Sequence, residues 1–175
     1  VSDVRFQGLK KSDKDDLSGK IGIAKGSQVN QDIIDRAKKI IKKFFDEKGY
    51  KNAEVRIVTH PDLSKKNYMI VDIYIDKKAK VKVHKVYISG NEVITDKKLK
   101  RTMKKTNEKG DILKLFKSKK FIENEYKGDL DLIIEKYNEL GYRDARIVSD
   151  SIVPFEESMV DVYIEVDEGQ KYYLK

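Results

Sequence analysis

One stretch occurs twice in this chain, and it dictates what the chain can fold into: the end of a helix, a Gly-Tyr pair, then a strand. The first copy is Phe44-Phe45-Asp46-Glu47-Lys48-Gly49-Tyr50-Lys51-Asn52-Ala53-Glu54-Val55-Arg56-Ile57. The second is Lys136-Tyr137-Asn138-Glu139-Leu140-Gly141-Tyr142-Arg143-Asp144-Ala145-Arg146-Ile147-Val148. In both, an aromatic stands four residues before the glycine (Phe45, Tyr137) and an alanine four after it (Ala53, Ala145). Glycine just past a helix takes the left-handed conformation without a Cβ penalty, and the next residue folds back on the last turn. The spacing predicts two Schellman closures, with Phe45 meeting Tyr50 and Tyr137 meeting Tyr142.

Two further anchors repeat in the same order. Val86-Tyr87-Ile88-Ser89-Gly90-Asn91 matches Val4-Arg5-Phe6-Gln7-Gly8-Leu9, and Val160-Asp161-Val162-Tyr163-Ile164 matches Val71-Asp72-Ile73-Tyr74-Ile75 nearly letter for letter. Repetition at a fixed order of anchors marks a duplicated unit. The expected fold class is α+β: two tandem β-α-α-β-β domains, 1–80 and 81–175. Each has a three-stranded sheet with two helices on one face.

Between the anchors, the first unit reads as a strand from Asp3 to Gln7 and a short helix from Ser12 to Ser18 with Ser12 as N-cap. A glycine-containing loop carrying Ile21 and Ile23 follows. Asn30 then caps a long helix whose stripe is Ile33, Ile34, Ala37, Ile40, Ile41, Phe44 and Phe45. The second unit reads as Thr95 capping a helix with Leu99 and Met103, then a long helix from about Asp129, its cap, to Leu140. Its extra length falls at about 109–127, with Leu113, Leu115, Phe116, Phe121, Ile122 and Tyr126. So many apolar groups favour added helical cover over the lower edge of the core rather than a loop for partners.

Composition narrows the function classes. The net charge is +8, and residues 1–80 hold 19 basic against 12 acidic residues. Lys77–Lys120 is the densest basic stretch. It suits acidic partners or an anionic membrane surface, although solvated lysine-rich faces alone account for it. No apolar run is long enough for a membrane helix. No signal peptide is read, and the chain starts almost directly on a strand, as a piece of something longer would. The absence of cysteine excludes disulfides and thiol chemistry. His60 and His84 lie in different units. Glu123, Glu125, Asp129 and Asp131 follow no calcium-loop spacing. Asp72 and Asp161 read as outward strand positions paired with Lys or Arg. No constellation supports catalysis, a cofactor or a metal. Gly19-Lys20-Ile21-Gly22 is a G-x-x-G between helices, the loop of KH-like nucleic-acid modules, and it keeps a nucleic-acid-binding tandem module as the alternative, with nucleic acid the weaker reading.

Taken together, the anchors resemble two consecutive POTRA domains of BamA-type outer-membrane barrel-assembly proteins. The carriers are Ile88-Ser89-Gly90-Asn91, Gly141-Tyr142 and Glu168-Gly169 in the second unit, and Phe6-Gln7-Gly8-Leu9 with Gly49-Tyr50 in the first. The first unit departs at the third motif, where Asp76-Lys77-Lys78 stands. Leu115-Phe116-Lys117-Ser118-Lys119-Lys120-Phe121 is similar to an internal unit of Bacteroidetes-type members, so the pair resembles the second and third units. The resemblance implies a periplasmic location within an outer-membrane protein that carries a C-terminal β-barrel. It implies unfolded outer-membrane proteins and accessory assembly lipoproteins as partners, and a chaperone-like scaffold that binds partly by β-augmentation. It also makes the second strand of each unit an edge. The expected partner-binding residues are Ala53, Val55, Ile57, Arg143, Ala145, Ile147, Ser149 and Ser151. Gly49, Tyr50, Gly141, Tyr142, Gly90 and Asn91 are expected to be structural caps. The second edge, less charged, is expected to be the better acceptor. A POTRA module of a secretion or division protein is a further alternative.

Overall fold

The computed structural model describes residues 1–108 and 119–173. The chain divides into two compact units, Val1–Ala79 and Lys80–Lys175. Unit 1 runs β1 (Asp3–Gln7), α1 (Lys11–Ser18), α2 (Gln31–Asp46), β2 (Glu54–Pro61) and β3 (Met69–Asp76). Its sheet order is β1-β3-β2, with β1 parallel and β2 antiparallel to the central strand. Unit 2 runs β4 (Lys82–Ser89), α3 (Asp96–Thr102), α4 (Glu123–Glu139), β5 (Arg146–Glu156) and β6 (Met159–Asp167), in the order β4-β6-β5.

In unit 1 the Asn30 carboxamide accepts the Ile33 N–H at 2.9 Å and starts α2. Ala37, Ile41, Phe44 and Phe45 then pack with Leu17, Ile21, Ile23, Val71, Ile73 and Ile75. Both helix ends close as the spacing predicts. Tyr50 N–H reaches the Phe45 carbonyl at 2.8 Å and Gly49 N–H reaches Asp46 at 2.8 Å; Tyr142 reaches Tyr137 and Gly141 reaches Asn138, both at 3.0 Å. The aromatic pairs meet edge to face, with centroids 6.1 Å apart for Phe45 and Tyr50 and 6.3 Å for Tyr137 and Tyr142. At the exit of the first strand a Cβ on Gly90 would sit 2.0 Å from the Val166 carbonyl oxygen, and one on Gly8 would sit 2.1 Å from that of Ile75. Only glycine lets the two backbones approach so closely. Asn91 next to it donates to the Ile94 carbonyl and to Asp96, tying the loop to the start of α3.

Several boundaries differ from the sequence reading. α1 begins at Lys11 with Lys10 in the cap position, so Ser12 lies inside the helix. Thr95 occupies the N-cap position of α3 without a side-chain hydrogen bond. β2 continues through His60 and Pro61, and β5 starts at Arg146 and continues to Glu156. α4 begins at Glu123, and Asp129 is not its cap but is buried inside it. Its carboxylate accepts the backbone N–H groups of Lys104, Lys105 and Thr106 at 2.9, 2.9 and 2.6 Å, and the Thr106 hydroxyl at 2.6 Å. Successive N–H groups pointing into one concavity make an anion nest, and Asp129 fills it from α4. Of the apolar residues at 109–127, Phe121 and Tyr126 are in the core. Leu113, Leu115 and Phe116 lie outside the described residues.

The third-strand letter match is out of step with the fold. Val4 faces Val71 across β1 and β3, but Val86 faces Val162, not Val160, across β4 and β6. From the other side, Val55 faces Ile75 and Ile147 faces Val166. Both partners place β6 two residues along from the alignment of letters. The shift reveals an equivalence hidden in the sequence. Asp76-Lys77-Lys78 occupies the place of Asp167-Glu168-Gly169. Lys78 N–H donates to Asp76 Oδ1 and Gly169 N–H to Asp167 Oδ1, both at 3.1 Å, and Lys78 and Gly169 have φ of 55° and 64°.

At the middle position of that motif the units exchange charge. Glu168 accepts the Tyr137 hydroxyl at 2.8 Å and the Val93 N–H at 2.9 Å. Burial first, then Glu168, pushes the Tyr137 hydroxyl pKa upward. Lys77 instead donates to Asp13 of α1 at 3.2 Å, and Lys48 reaches the same carboxylate at 2.7 Å.

Two outcomes follow. Lys48 above all, with Lys77 adding to it against the cost of burial, holds the Asp13 carboxyl below its ordinary 3.8. A lowered folded value contributes stability above the unfolded value and loses it as pH falls through the folded one. Hydrogen exchange of α1 and α2 amides therefore accelerates as pH falls below about 4, after correction for intrinsic rates, and Asp13→Asn makes that acid dependence shallower. An unchanged acid dependence in the variant would contradict the role given to Asp13. Asp129→Ala strands three backbone donors and costs unit 2 about 3 kcal/mol or more. Amides of Lys105 and Thr106 lose protection in it, while those of α2 keep theirs.

Candidate binding edges

Each three-stranded sheet has two outer strands, and the two units treat them differently. In unit 2 the outer side of β4 is occupied. Val83 N–H donates to the Lys119 carbonyl at 3.2 Å, Phe121 N–H donates to Val81 at 2.9 Å, and Lys82 bridges to Lys120. Further along, Val86 N–H donates to the Glu108 carboxylate at 2.9 Å, which Lys100 also holds at 3.1 Å. The added length of unit 2 thus closes one edge. In unit 1 the start of β1 is tied to a loop: Val1 donates through its amino group to Ser27 at 2.7 Å, and Gly26 N–H donates to Val1 at 2.8 Å.

β2 and β5 are the second strands, and each lies at an edge. In β2 the direction of the backbone groups follows from register. Asp62 N–H donates to the Tyr68 carbonyl at 2.9 Å, continuing the β2–β3 ladder. Antiparallel pairs alternate between bonded and non-bonded, so Arg56, Val58 and His60 bond to β3. The N–H and C=O groups of Val55, Ile57 and Thr59 face outward. Pro61 falls in the outward set, where its missing N–H costs nothing. Val55 and Ile57 side chains are half-buried against the core, and Ala53 is buried just before the strand.

β5 is longer and interrupted. Its register shifts between Ile147 and Ser149 and again between Pro154 and Glu156, leaving Ser149–Pro154 as the regular stretch. Ile147 packs on the core, Ser149 and Ser151 are exposed, Ala145 is buried ahead of the strand, and Arg143 lies in the turn before it. Val148, Val153 and Phe155 are 54%, 44% and 49% exposed. The exposed side chains of the regular stretch carry one charge, Asp150, while β2 presents Glu54 and Arg56. Bulges and proline are devices that limit edge pairing, so any added strand is confined to the stretch between them.

The solvent-facing sides of the sheets hold pairs that the sequence reading missed. Arg5 stands across from Asp72 and Lys85 across from Asp161, the basic cross-strand neighbours expected, and each aspartate also holds a histidine. Asp72 meets His60 Nε2 at 2.8 Å, and Asp161 meets His84 Nδ1 at 2.8 Å. His84 also stacks on Phe155, with centroids 3.8 Å apart. These contacts bind each central strand to an outer one. The fact that each unit has one histidine and one V-D-x-Y-I strand was a signal available in the sequence. Among the described residues no three His, Asp or Glu side chains converge as a metal site. Of the acidic residues in and around α4, Asp129 fills its nest and Glu123 is paired to Lys127. The Gly19–Gly22 loop is pinned to the core by Ile21 and Ile23, 1% and 2% exposed.

The POTRA family model, described as surface antigen variable number repeat, matches residues 1–78 and again 81–169. The chain belongs to the POTRA family. Its two units are tandem POTRA domains, and the KH-like alternative is set aside. The outer membrane protein assembly factor BamA of Neisseria meningitidis serogroup B is 29% identical over 154 residues, which are 86% of this chain and 19% of that protein. The chain therefore spans about a fifth of that relative. Two solved structures share the fold. The N-terminal domain of Omp85 from Thermosynechococcus elongatus matches with a TM-score of 0.57 at 15% identity, over 97% of this chain and 62% of that one. Haemophilus influenzae BamA POTRA3-5 matches with a TM-score of 0.51 at 18% identity, over 95% and 60%.

The alternation in the first POTRA domain is open to a direct check. In residue-resolved hydrogen exchange, the amides of Val55, Ile57 and Thr59 exchange faster than those of Arg56, Val58 and His60. In the second domain the Val83 and Val86 amides are protected, and Glu108→Ala releases Val86 alone. Uniform protection along β2 would mean that its outer side is covered.

Proposed function

We propose that these two POTRA domains belong to the periplasmic arm of a BamA-type outer-membrane assembly protein. There they act as a non-catalytic scaffold that holds unfolded outer-membrane proteins and accessory assembly proteins. Binding is partly by β-augmentation, with β2 and β5 as the acceptor edges, and needs no cofactor. The observation that carries this reading is β5: an edge strand with a regular stretch bounded by bulges, serines at the surface and apolar side chains exposed beside them. Main-chain hydrogen bonds from such an edge accept extended chains of many sequences, which suits a scaffold for diverse clients. The closure of β4 supports the same reading, because it leaves one acceptor edge in the second domain. The basic Lys77–Lys120 stretch adds attraction for acidic partners that salt weakens.

A photo-crosslinker placed in turn at Val55, Ile57, Ile147, Ser149 and on the exposed side of α4 tests this in the full-length protein. An unfolded outer-membrane protein is captured at Ile147 and Ser149 most, at Val55 and Ile57 less, and at α4 least. Capture confined to α4 would overturn the edge reading.

A further inference from the structure

The outward tyrosines of the two central strands have different neighbours. In the first domain Tyr74 stands directly across from Arg56 of β2, whose guanidinium lies 4.3 Å from the ring centroid. The sheet supplies its own cation to the electron-rich face of that ring. In the second domain Tyr163 stands directly across from Ser151 of β5. Serine is too small to cover a ring. Tyr163 stacks on its other side with Tyr87 of β4, centroids 4.8 Å apart and planes within 11°, and remains 42% exposed. Beside it lies an open hollow of about 350 Å3 lined by both tyrosines, Ser149, Ser151, Asp150 and Glu165. No lysine or arginine lines it among the described residues. The Glu165 carboxylate is held in place by the Ser149 hydroxyl at 2.8 Å. In a chain of net charge +8, this hollow combines the Glu165 carboxylate and an uncovered aromatic ring with no cation of its own among the described residues.

We infer that the hollow receives an arginine side chain from a polypeptide strand added along β5, its guanidinium against Tyr163 and paired with Glu165. This rests on the β-augmentation reading and gives it a sequence preference. Neighbouring strands lie 4.7–4.9 Å apart, so an added strand lies roughly 9–10 Å from β6. A side chain must cross β5 to reach Tyr163, and Ser151 leaves that path open. Arginine has the length, and its planar group both stacks on an aromatic ring and pairs with a carboxylate; lysine offers only a point charge. Because side chains alternate between faces along a strand, only outward-facing residues of the added strand qualify. Specificity is then set by one position of the client opposite Ser151, and the backbone hydrogen bonds are shared by every client.

The test uses two alternating Val-Thr peptides that differ only in carrying arginine or its uncharged isostere citrulline at one outward position. Binding to the tandem domains is followed by NMR, reading the Tyr163 ring and the β5 amides. The arginine peptide binds roughly three- to tenfold tighter, shifts Tyr163 and protects amides of β5. Ser151→Arg, which installs the cover that Arg56 gives Tyr74, removes the preference. Glu165→Gln reduces the preference. Equal affinity for both peptides, with protection along β5, overturns the arginine site and leaves the edge reading intact. An arginine preference with Tyr163 shifted and β5 unprotected overturns the added strand. Absence of binding by either peptide overturns both.

Discussion

A hydrogen bond from a tyrosine N–H to the carbonyl of an aromatic residue five positions earlier sets the geometry of each domain. It closes the long helix, and the two rings packed edge to face hold the closure. The direction in which the chain leaves the helix decides where the second strand meets the third. From that turn Val55 comes to face Ile75, and Ile147 comes to face Val166. The buried helix stripes can then lie on the sheet without a slip of register. A slip of one residue would turn each strand inside out. The edge strands proposed to receive clients are the strands this closure places.

On that shared frame the domains diverge where chemistry is cheapest to change. The turn after the third strand has the same backbone in both, yet Lys77 stands where Glu168 stands in the second. The partner follows the charge. Lys77 joins Lys48 on Asp13 of α1, and Glu168 takes the Tyr137 hydroxyl and the Val93 N–H. Phe45 replaces Tyr137 in the first domain, so no hydroxyl there requires an acceptor. The second domain adds a different device. Lys119 and Glu108 accept from N–H groups of β4 and Phe121 donates to the Val81 carbonyl beside it, groups that would otherwise lie open, and Asp129 anchors the loop after α3 from inside α4. The added residues thus change which strand is available to a partner while the core stays the same.

Much of this was legible in the amino acids. Gly49-Tyr50 and Gly141-Tyr142 identify the closures because few residues tolerate the left-handed turn. The alternation of Val71, Ile73 and Ile75 identifies a strand with one buried face. The His–Asp pairs were missed because histidine and aspartate lie on separate strands, and their distance depends on pairing. Asp129 was taken for a cap because an acid before an apolar stripe looks the same whether the helix starts there or has already run two turns.

What the sequence by itself determined is local: the helix ends, the buried stripes, the duplication and, through them, the fold of each POTRA domain. What only tertiary structure decided is register and neighbourhood. V-D-x-Y-I fits its partners equally well when displaced by two residues, because a strand repeats its faces every two; packing against both neighbours chose the displacement. That choice put Ser151 across from Tyr163, left its ring uncovered beside Glu165, and gave Asp161 a histidine. Side-chain alternation is a property of one strand, whereas a site on a sheet belongs to several strands at once.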